Sequence, residues 1–204
     1  MEHIINQIKL RGTMHTTPSF SHENHSKEFF RFFLEVERLS GVSDILPVIA
    51  EKSLLENTQV SHGSMLTVTG QVRSHNLRSD GKRHLLIFVF AQSIICEDGP
   101  CINECTLEGP ICREPIYRKT PLGREICDVM LAVPRTFQRS DYLPCILWGK
   151  TAREAAQCHV REIIQINGRM QSRIYTKLTE LGCESRTAYE ISVLTAQIPA
   201  TQED

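Results

Sequence analysis

The chain has 204 residues, of which 41% are apolar, enough to bury the core of one large domain or two small ones. Its formal net charge is −1, so an anionic partner would have to be held by a local stripe of Arg and Lys rather than by a basic surface overall. The longest apolar run, residues 85–91, is too short to cross a membrane, and the opening MEHIINQIKL lacks the pattern of a secretory signal. A cytoplasmic protein is expected.

The eight cysteines are therefore expected to be reduced thiols rather than a disulfide framework. Four of them follow a C-x4-C-x3-C-x6-C spacing between residues 96 and 112, without the C-x2-C pair that structural zinc prefers. Small buried apolar residues are the favoured interpretation. No Cys–His or Ser–His arrangement suggests catalysis, so the sequence predicts no metal, no cofactor and no active site.

The two halves of the chain repeat four blocks in the same order. The first pair of blocks is NQIKLRGTMHTTP and NECTLEGPICREP, which share Asn, Leu, Gly and Pro at equal spacing. SDILP at residues 43–47 matches SDYLP at residues 140–144. GSMLTVTGQVRSHNL then matches REIIQINGRMQSRIY, and HLLIFVFAQSI matches AYEISVLTAQI. Four matched blocks indicate an internal duplication.

A turn-type cluster, EDGP at residues 97–100, separates the copies. We therefore predict one unit over residues 1–97, a second over residues 103–198 and a short tail over residues 199–204. Within each unit the blocks are typical of strands, with one helix-like segment between the third and fourth: SLLENTQV in the first and TAREAAQCHV in the second. Five strands with a helix after the third is the order of an OB-fold, a Greek-key barrel. The predicted fold is all-β, with two tandem OB-folds.

The strand that ends at the only tryptophan has two faces. Leu143, Cys145 and Leu147 share one face, and Tyr142 and Trp148 share the other. A single tryptophan is more often part of a core than of a binding surface, because the indole is large and on average highly buried. The alternation by itself leaves both interpretations open.

Two further features favour a nucleic-acid surface. Phe137 lies at the tip of the preceding hairpin between Arg135 and Arg139. In GRMQSRIY, residues 168–175, alternate positions form a polar face: Arg169, Gln171, Arg173 and Tyr175. Rings interleaved with cations suit single strands, because bases stack on the rings and phosphates meet the guanidinium groups. The alternative is an ordinary strand that turns its polar side to water.

The second unit resembles the bacterial single-stranded DNA-binding protein family. NECTLEG resembles that family's opening strand, YRKTPLGREICDVMLAVPRTF its second-strand hairpin, CILWGKTAREAAQ its third strand and helix, and INGRMQSRIY its fourth strand. The resemblance implies four base-stacking positions, which fall on Phe137, Tyr142, Trp148 and Tyr175. It places Trp148 on an exposed face rather than in the core.

The same resemblance implies non-catalytic, largely sequence-independent binding of single-stranded DNA in replication, recombination or repair. The expected DNA contacts beside the rings are polar: Arg118, Lys119, Arg135, Arg139, Lys150, Arg169, Gln171 and Arg173. Family members work with four OB domains, so two per chain imply a homodimer. Lys119 stands where the family usually has an aromatic residue. TAQIPATQED carries no acidic tail with an apolar tip, so partner recruitment through such a tail is not expected.

The first unit lacks aromatic residues at all four matched positions: Ser40, Ile45, Glu51 and Leu77. We predict a diverged copy that keeps the fold and has lost most base contacts, although its fourth and fifth strands keep some positive charge. Its four phenylalanines between residues 29 and 33 cannot all point inward on a strand. The outward pair is expected either to pack against the second unit or another chain, or to be covered by a loop.

Two other classes of function are an interaction module and an enzyme. The first unit would suit an OB-fold interaction module of a primosome or another DNA-processing complex, whereas the four rings of the second unit oppose this interpretation. Enzymes with OB domains need a separate catalytic domain, for which the two predicted units leave no room.

Overall fold

The computed structural model describes residues 5–58, 60–79, 82–179 and 182–198, and most of them lie in strands. The first half contains β1 (Asn6–Met14), β2 (Ser19–Asn24), β3 (Lys27–Glu37), β4 (Ser43–Glu51), α1 (Lys52–Thr58), β5 (Met65–Ser79) and β6 (Lys82–Cys96). The second half contains β7 (Ile102–Pro110), β8 (Ile116–Lys119), β9 (Glu125–Arg135), β10 (Arg139–Trp148), α2 (Gly149–Ala155), β11 (Ile163–Thr179) and β12 (Gly182–Gln197). The predicted tail, residues 199–204, lies outside the described residues.

Each half closes into a small barrel. In the first, β1 pairs with β3 and β5, β5 with β6, β6 with β4 and β4 with β3. In the second, β7 pairs with β11, β11 with β12, β12 with β10 and β10 with β9, while a bridge between Ile111 and Leu131 closes the ring. The short strands β2 and β8 extend β3 and β9. Five barrel strands with a helix after the third confirm the prediction of two tandem OB-folds.

The opening strands of the two barrels join them into one sheet. β1 and β7 run antiparallel, with Asn6 opposite Leu107 and Leu10 opposite Asn103. The side-chain amide of Asn6 donates to the Val72 carbonyl at 2.8 Å and accepts from the Val72 amide at 2.8 Å. In the second barrel, the side-chain amide of Asn103 makes the same pair of bonds with the backbone carbonyl and amide of Met170, at 2.7 and 3.0 Å. The Asn that opens each repeat therefore ties β1 to β5 and β7 to β11.

A buried carboxylate of the first barrel binds the second. Asp44 is fully buried and pairs with the Arg38 guanidinium at 2.6 and 2.7 Å. It also accepts hydrogen bonds from the backbone amide and hydroxyl of Ser172 in β11, at 2.7 and 3.0 Å. Burial raises the pKa of Asp44, but its bonds from Arg38 and Ser172 outweigh burial and hold the pKa below its ordinary value. Asp44 is therefore charged at neutral pH.

The second barrel returns this contact. Asp141 is fully buried, pairs with Arg135 at 2.5 and 2.6 Å, and accepts from the Ser74 amide of β5 at 2.6 Å. The Ser74 hydroxyl in turn accepts from the Tyr142 amide at 2.8 Å. The repeated aspartates, Asp44 and Asp141, thus bind the repeated serines, Ser172 and Ser74, and each barrel holds the fourth strand of the other.

The glycine repeated in β5 and β11 has a steric cause. At Gly70 a Cβ would lie 2.1 Å from the Phe90 carbonyl oxygen, and at Gly168 it would lie 2.4 Å from that of Ser192. Both glycines also sit at a break in strand register. Any side chain at either position would push the two paired strands apart.

The phenylalanines of β3 alternate as a strand requires. Phe32 is fully buried and Phe30 packs against the core, whereas Phe29 and Phe33 lie on the outer face. His22 of β2 stacks on Phe29 with the ring centroids 4.9 Å apart and buries it. Phe29 is therefore covered, but by the strand β2 rather than by a loop, while Phe33 remains half-buried.

Several cysteines lie in the cores. Burial raises the pKa of Cys105 to about 12 and the pKa values of Cys127 and Cys158 to about 11, so these thiols stay protonated. No group of three or more His, Cys, Asp or Glu side chains in the described residues is placed to hold a metal ion. The helices of the described residues are too short to cross a membrane.

Candidate nucleic-acid interface

The four aromatic side chains predicted to stack on bases all reach solvent. The exposed fraction is 92% for Phe137, 44% for Tyr142, 37% for Trp148 and 37% for Tyr175. Between Tyr142 and Trp148, the alternate side chains Leu143 and Leu147 are fully buried. The two-residue period of β10 therefore sends the leucines into the core and the rings outward.

The Trp148 side chain is partly packed against the protein and partly exposed to solvent. It is the last residue of β10, and α2 begins at the next residue, Gly149. Its indole Nε1 donates to the Ser192 hydroxyl at 3.2 Å. This bond fixes one edge of the indole against β12 and leaves the remainder of the ring accessible, so Trp148 belongs to the outer face and not to the core.

Phe137 is held away from the barrel by its turn. Phe137 and Gln138 both have left-handed backbone conformations, with φ of 61° and 54°. Non-glycine residues adopt this conformation at a cost in free energy, and such residues cluster at functional sites. The turn projects the Phe137 ring into solvent beside the exposed Arg139.

Some of the predicted cations are exposed and held loosely. Arg139 and Lys119 are exposed, and Lys150 lies 3.5 Å from Glu154 with most of its side chain in solvent. Arg173 lies 3.6 Å from Glu190, with its guanidinium 5.8 Å from the centroid of the Tyr175 ring. An exposed pair such as Lys150–Glu154 contributes little to stability, and the Arg173 guanidinium is itself exposed although Glu190 is buried, so these cations can turn to an anion.

Other predicted contacts already have firm partners. Arg135 is committed to the buried Asp141 and to the junction between the barrels. Gln171 is buried and donates to Glu190 at 2.8 Å. Arg118 pairs with Asp128 at 2.7 Å on the exposed surface. Sequence alternation identifies the face of a side chain but not its partner, which comes from a different strand.

Arg169 has an unusual environment. Its Nε is buried and has no hydrogen-bond acceptor among the described residues. A buried donor without a partner is unfavourable by about 1–3 kcal/mol. The register places Arg169 opposite Ser192, the residue that binds the Trp148 indole.

The first unit has other side chains at the corresponding places. Glu51 occupies the position of Trp148 and pairs with Lys27 at 2.9 Å. Its outer face does, however, carry three half-buried rings on the two strands that flank β4: Phe33 of β3 and Phe88 and Phe90 of β6. Matching the four known positions missed them, whereas the alternation of Ile87, Phe88, Val89 and Phe90 in the sequence could have revealed the pair on β6.

Comparison with known proteins places these features in a family. The model of the "Single-strand binding protein family" matches residues 102–199. Single-stranded DNA-binding protein B of Bacillus subtilis is 35% identical over 80 residues, which are 36% of this chain and 71% of that protein. Single-stranded DNA-binding protein 2 of Listeria innocua is 32% identical over 81 residues, which are 36% of this chain and 51% of that protein.

A solved structure extends the likeness to both units. The wild-type single-stranded DNA binding protein from Thermus aquaticus superposes with a TM-score of 0.78 at 20% identity, covering 99% of this chain and 96% of that one. At this identity the likeness concerns the fold alone. It shows that the arrangement of two consecutive barrels in one chain occurs in another protein.

Proposed function

The chain belongs to the single-strand binding protein family, and from this premise we propose that it binds single-stranded DNA without catalysis, in DNA replication, recombination or repair. The observation that carries the proposal is the exposure of four rings in the second unit: Phe137, Tyr142, Trp148 and Tyr175. Aromatic side chains are usually withdrawn from water, and four of them on one barrel form a stacking surface.

Stacking explains why binding should depend little on sequence. Every base has a π-face, and each stacked base contributes about 1–3 kcal/mol to binding as judged by alanine substitution. The indole of Trp148 is oriented by Ser192 before DNA arrives, so less conformational entropy is lost when a base stacks on it.

Phosphates are proposed to bind the exposed cations rather than the committed ones. Arg139, Lys119, Lys150 and Arg173 can each turn to a phosphate without breaking a strong internal contact. The unpartnered Nε of Arg169 would gain an acceptor. Arg135 is assigned instead to holding the two barrels together, because Asp141 would be left buried and unpaired without it.

Fluorescence of Trp148, the only tryptophan of the chain, tests the proposal directly. Oligo-dT is titrated into the protein at low and high salt, with duplex DNA of the same length as the control. We expect strong quenching by the single strand alone, weakened by salt. If oligo-dT binds by anisotropy without quenching, the rings are not the site; if it does not bind at all, a protein-interaction module becomes the better account.

We further propose that two chains associate to present four OB units, in the compartment where bacterial DNA lies, the cytoplasm. Support comes from three exposed apolar side chains: Ile95 of β6, Ile163 of β11 and Leu194 of β12. Sedimentation equilibrium at micromolar concentration should give a dimer that Leu194→Glu weakens. A monomer of the unaltered chain would remove this part of the proposal.

A further inference from the structure

A single groove of about 1610 Å³ crosses both barrels. We call it the inter-unit groove. From the first unit it is lined by Phe33, Phe88, Phe90, Arg31 and Arg73. From the second unit it is lined by Tyr175, Tyr189 and Arg139. None of the described residues that line it is an Asp or a Glu, whereas five are arginines. Two of the five pair with carboxylates, Arg135 with Asp141 and Arg186 with Glu184, so the local excess of positive charge comes from Arg31, Arg73 and Arg139.

The rings of the first unit stand where the second unit has smaller or acidic side chains. Phe88 lies opposite Arg73 as Glu190 lies opposite Gln171, so the two positions correspond. By the same matching of registers, Phe90 corresponds to Ser192 and Phe33 to Met130. The first unit has therefore lost rings at the four predicted positions but carries others on the same outer face.

The Arg73 side chain lies over one of these rings, Phe90. Its guanidinium carbon lies 4.0 Å from the centroid of Phe90, and its side chain bonds only to Gln71 among the described residues. Burial and the neighbouring charge of Arg135 lower the pKa of Arg73. A partly desolvated cation without a bonded carboxylate would be stabilised by a phosphate, and its planar guanidinium can also stack on a base.

Residues of the second unit make the groove continuous with the ring surface. Tyr175, one of the four exposed rings, lines the groove together with Arg139, which follows the Phe137 turn. The reciprocal serine contacts bring β11 of the second unit against β4 of the first. A strand stacked on Tyr175 would therefore meet the outer face of the first unit next.

We propose that the inter-unit groove is a second binding site for single-stranded DNA, in which bases stack on Phe33 and Phe88 and phosphates bind Arg31 and Arg73. The inference deepens the proposed function, on which it rests, by assigning the first unit a DNA-binding role through rings of its own. One strand would run from the four rings of the second unit through the groove, so the bound length exceeds that of one barrel.

The test compares two lengths of labelled oligo-dT by fluorescence anisotropy, because a single OB-fold occupies about 4–16 nucleotides. The double variant Phe33→Ala/Phe88→Ala should bind a strand of about 8 nucleotides within twofold of the unaltered protein and a strand of about 30 nucleotides at least about tenfold more weakly. The control is Phe20→Ala, an exposed phenylalanine of the same unit that does not line the groove.

A second variant guards against misfolding. Arg31 is exposed and makes no ion pair within the described part of the chain, so Arg31→Glu leaves the core intact and should also weaken only the long strand, by about fivefold or more. Unchanged affinity of both variants for the long strand would overturn the inference. Failure of the unaltered protein to bind either strand by anisotropy would instead overturn the proposed function. Binding without Trp148 quenching would remove the rings of the second unit from the site, and the long strand would still report on the groove separately.

Discussion

The two barrels repeat the same internal framework and differ in their outer faces. Asn6 and Asn103 bind the neighbouring strand through the same two hydrogen bonds. Asp44 and Asp141 each pair with an arginine and reach a serine of the opposite barrel. These contacts are buried, so a change in one copy leaves unpaired polar groups in the interior of both.

The outer faces have no such constraint. The second unit places Trp148 where the first has the Glu51–Lys27 pair, and the first places Phe88 where the second has Glu190. Side chains on these faces bond to neighbours on the same face, as in the Glu51–Lys27 and Gln171–Glu190 pairs, so rings can replace them without damage to the core. Duplicated barrels can thus keep one framework and carry different binding surfaces.

The largest effect is expected for the two buried arginine–aspartate pairs at the junction of the barrels. Arg135→Ala and Arg38→Ala should each lower the free energy of unfolding by about 3 kcal/mol or more, because each leaves a buried carboxylate without its cation. Urea unfolding measures the loss. Arg139→Ala, an exposed arginine beside the same turn, is the matched control and should change stability by less than about 0.5 kcal/mol. A large loss for only one of the two buried pairs would show that the repeated contacts are not equivalent.

The next largest effect concerns the exposed rings. Trp148→Ala should weaken binding of oligo-dT by about 1–3 kcal/mol, because one stacked base is lost. Glu51→Ala removes the corresponding side chain of the first unit and should not weaken binding, since an anion on that face repels phosphate. Anisotropy of labelled DNA measures both. Equal losses in the two variants would contradict the difference between the two faces.

Low pH should reduce the stability of the fold by protonating Asp44. Its pKa in the folded protein lies below the ordinary value of about 3.9, so its contribution to stability is full above that value and is lost as the pH falls through the folded pKa. Asp44→Asn should therefore be less stable than the unaltered chain near pH 6, and the difference should narrow below about pH 4. Urea unfolding from pH 3 to pH 7 measures it. A difference that stayed constant over this range would mean that the charge of Asp44 does not stabilise the fold.

The smallest effect is expected at the exposed cations. Arg139→Ala should reduce the slope of log affinity against log salt by about 0.7, the value for one phosphate contact on a single strand. Titrations at several salt concentrations give the slope. Lys52→Ala, an exposed cation of the first unit that pairs with Glu28, is the control and should leave the slope unchanged. The same slope for Arg139→Ala and the unaltered chain would remove that residue from the phosphate contacts.

Sequence alone predicted the two barrels, because the repeated Asn, Asp, Ser and Gly residues serve contacts that both copies need. The period of a strand predicted that Tyr142 and Trp148 share one face, and the family resemblance predicted that this face is the exposed one. The partners of Arg135 and Gln171 were not predictable, since they come from pairings across strands and barrels. The inter-unit groove was missed for the same reason, because its rings lie on four strands that are far apart in the chain: β3, β6, β11 and β12.

The most direct test of the whole account is ultraviolet cross-linking of oligo-dT to the protein, followed by mass spectrometry of the cross-linked peptides. Cross-links form where bases contact side chains, so the experiment reports on both barrels at once. We predict cross-links at Trp148 and Phe137 in the second unit and at Phe33 or Phe88 in the first. Cross-links confined to other surfaces, or absent from the peptides that contain Trp148, would contradict the assignment of these faces to DNA.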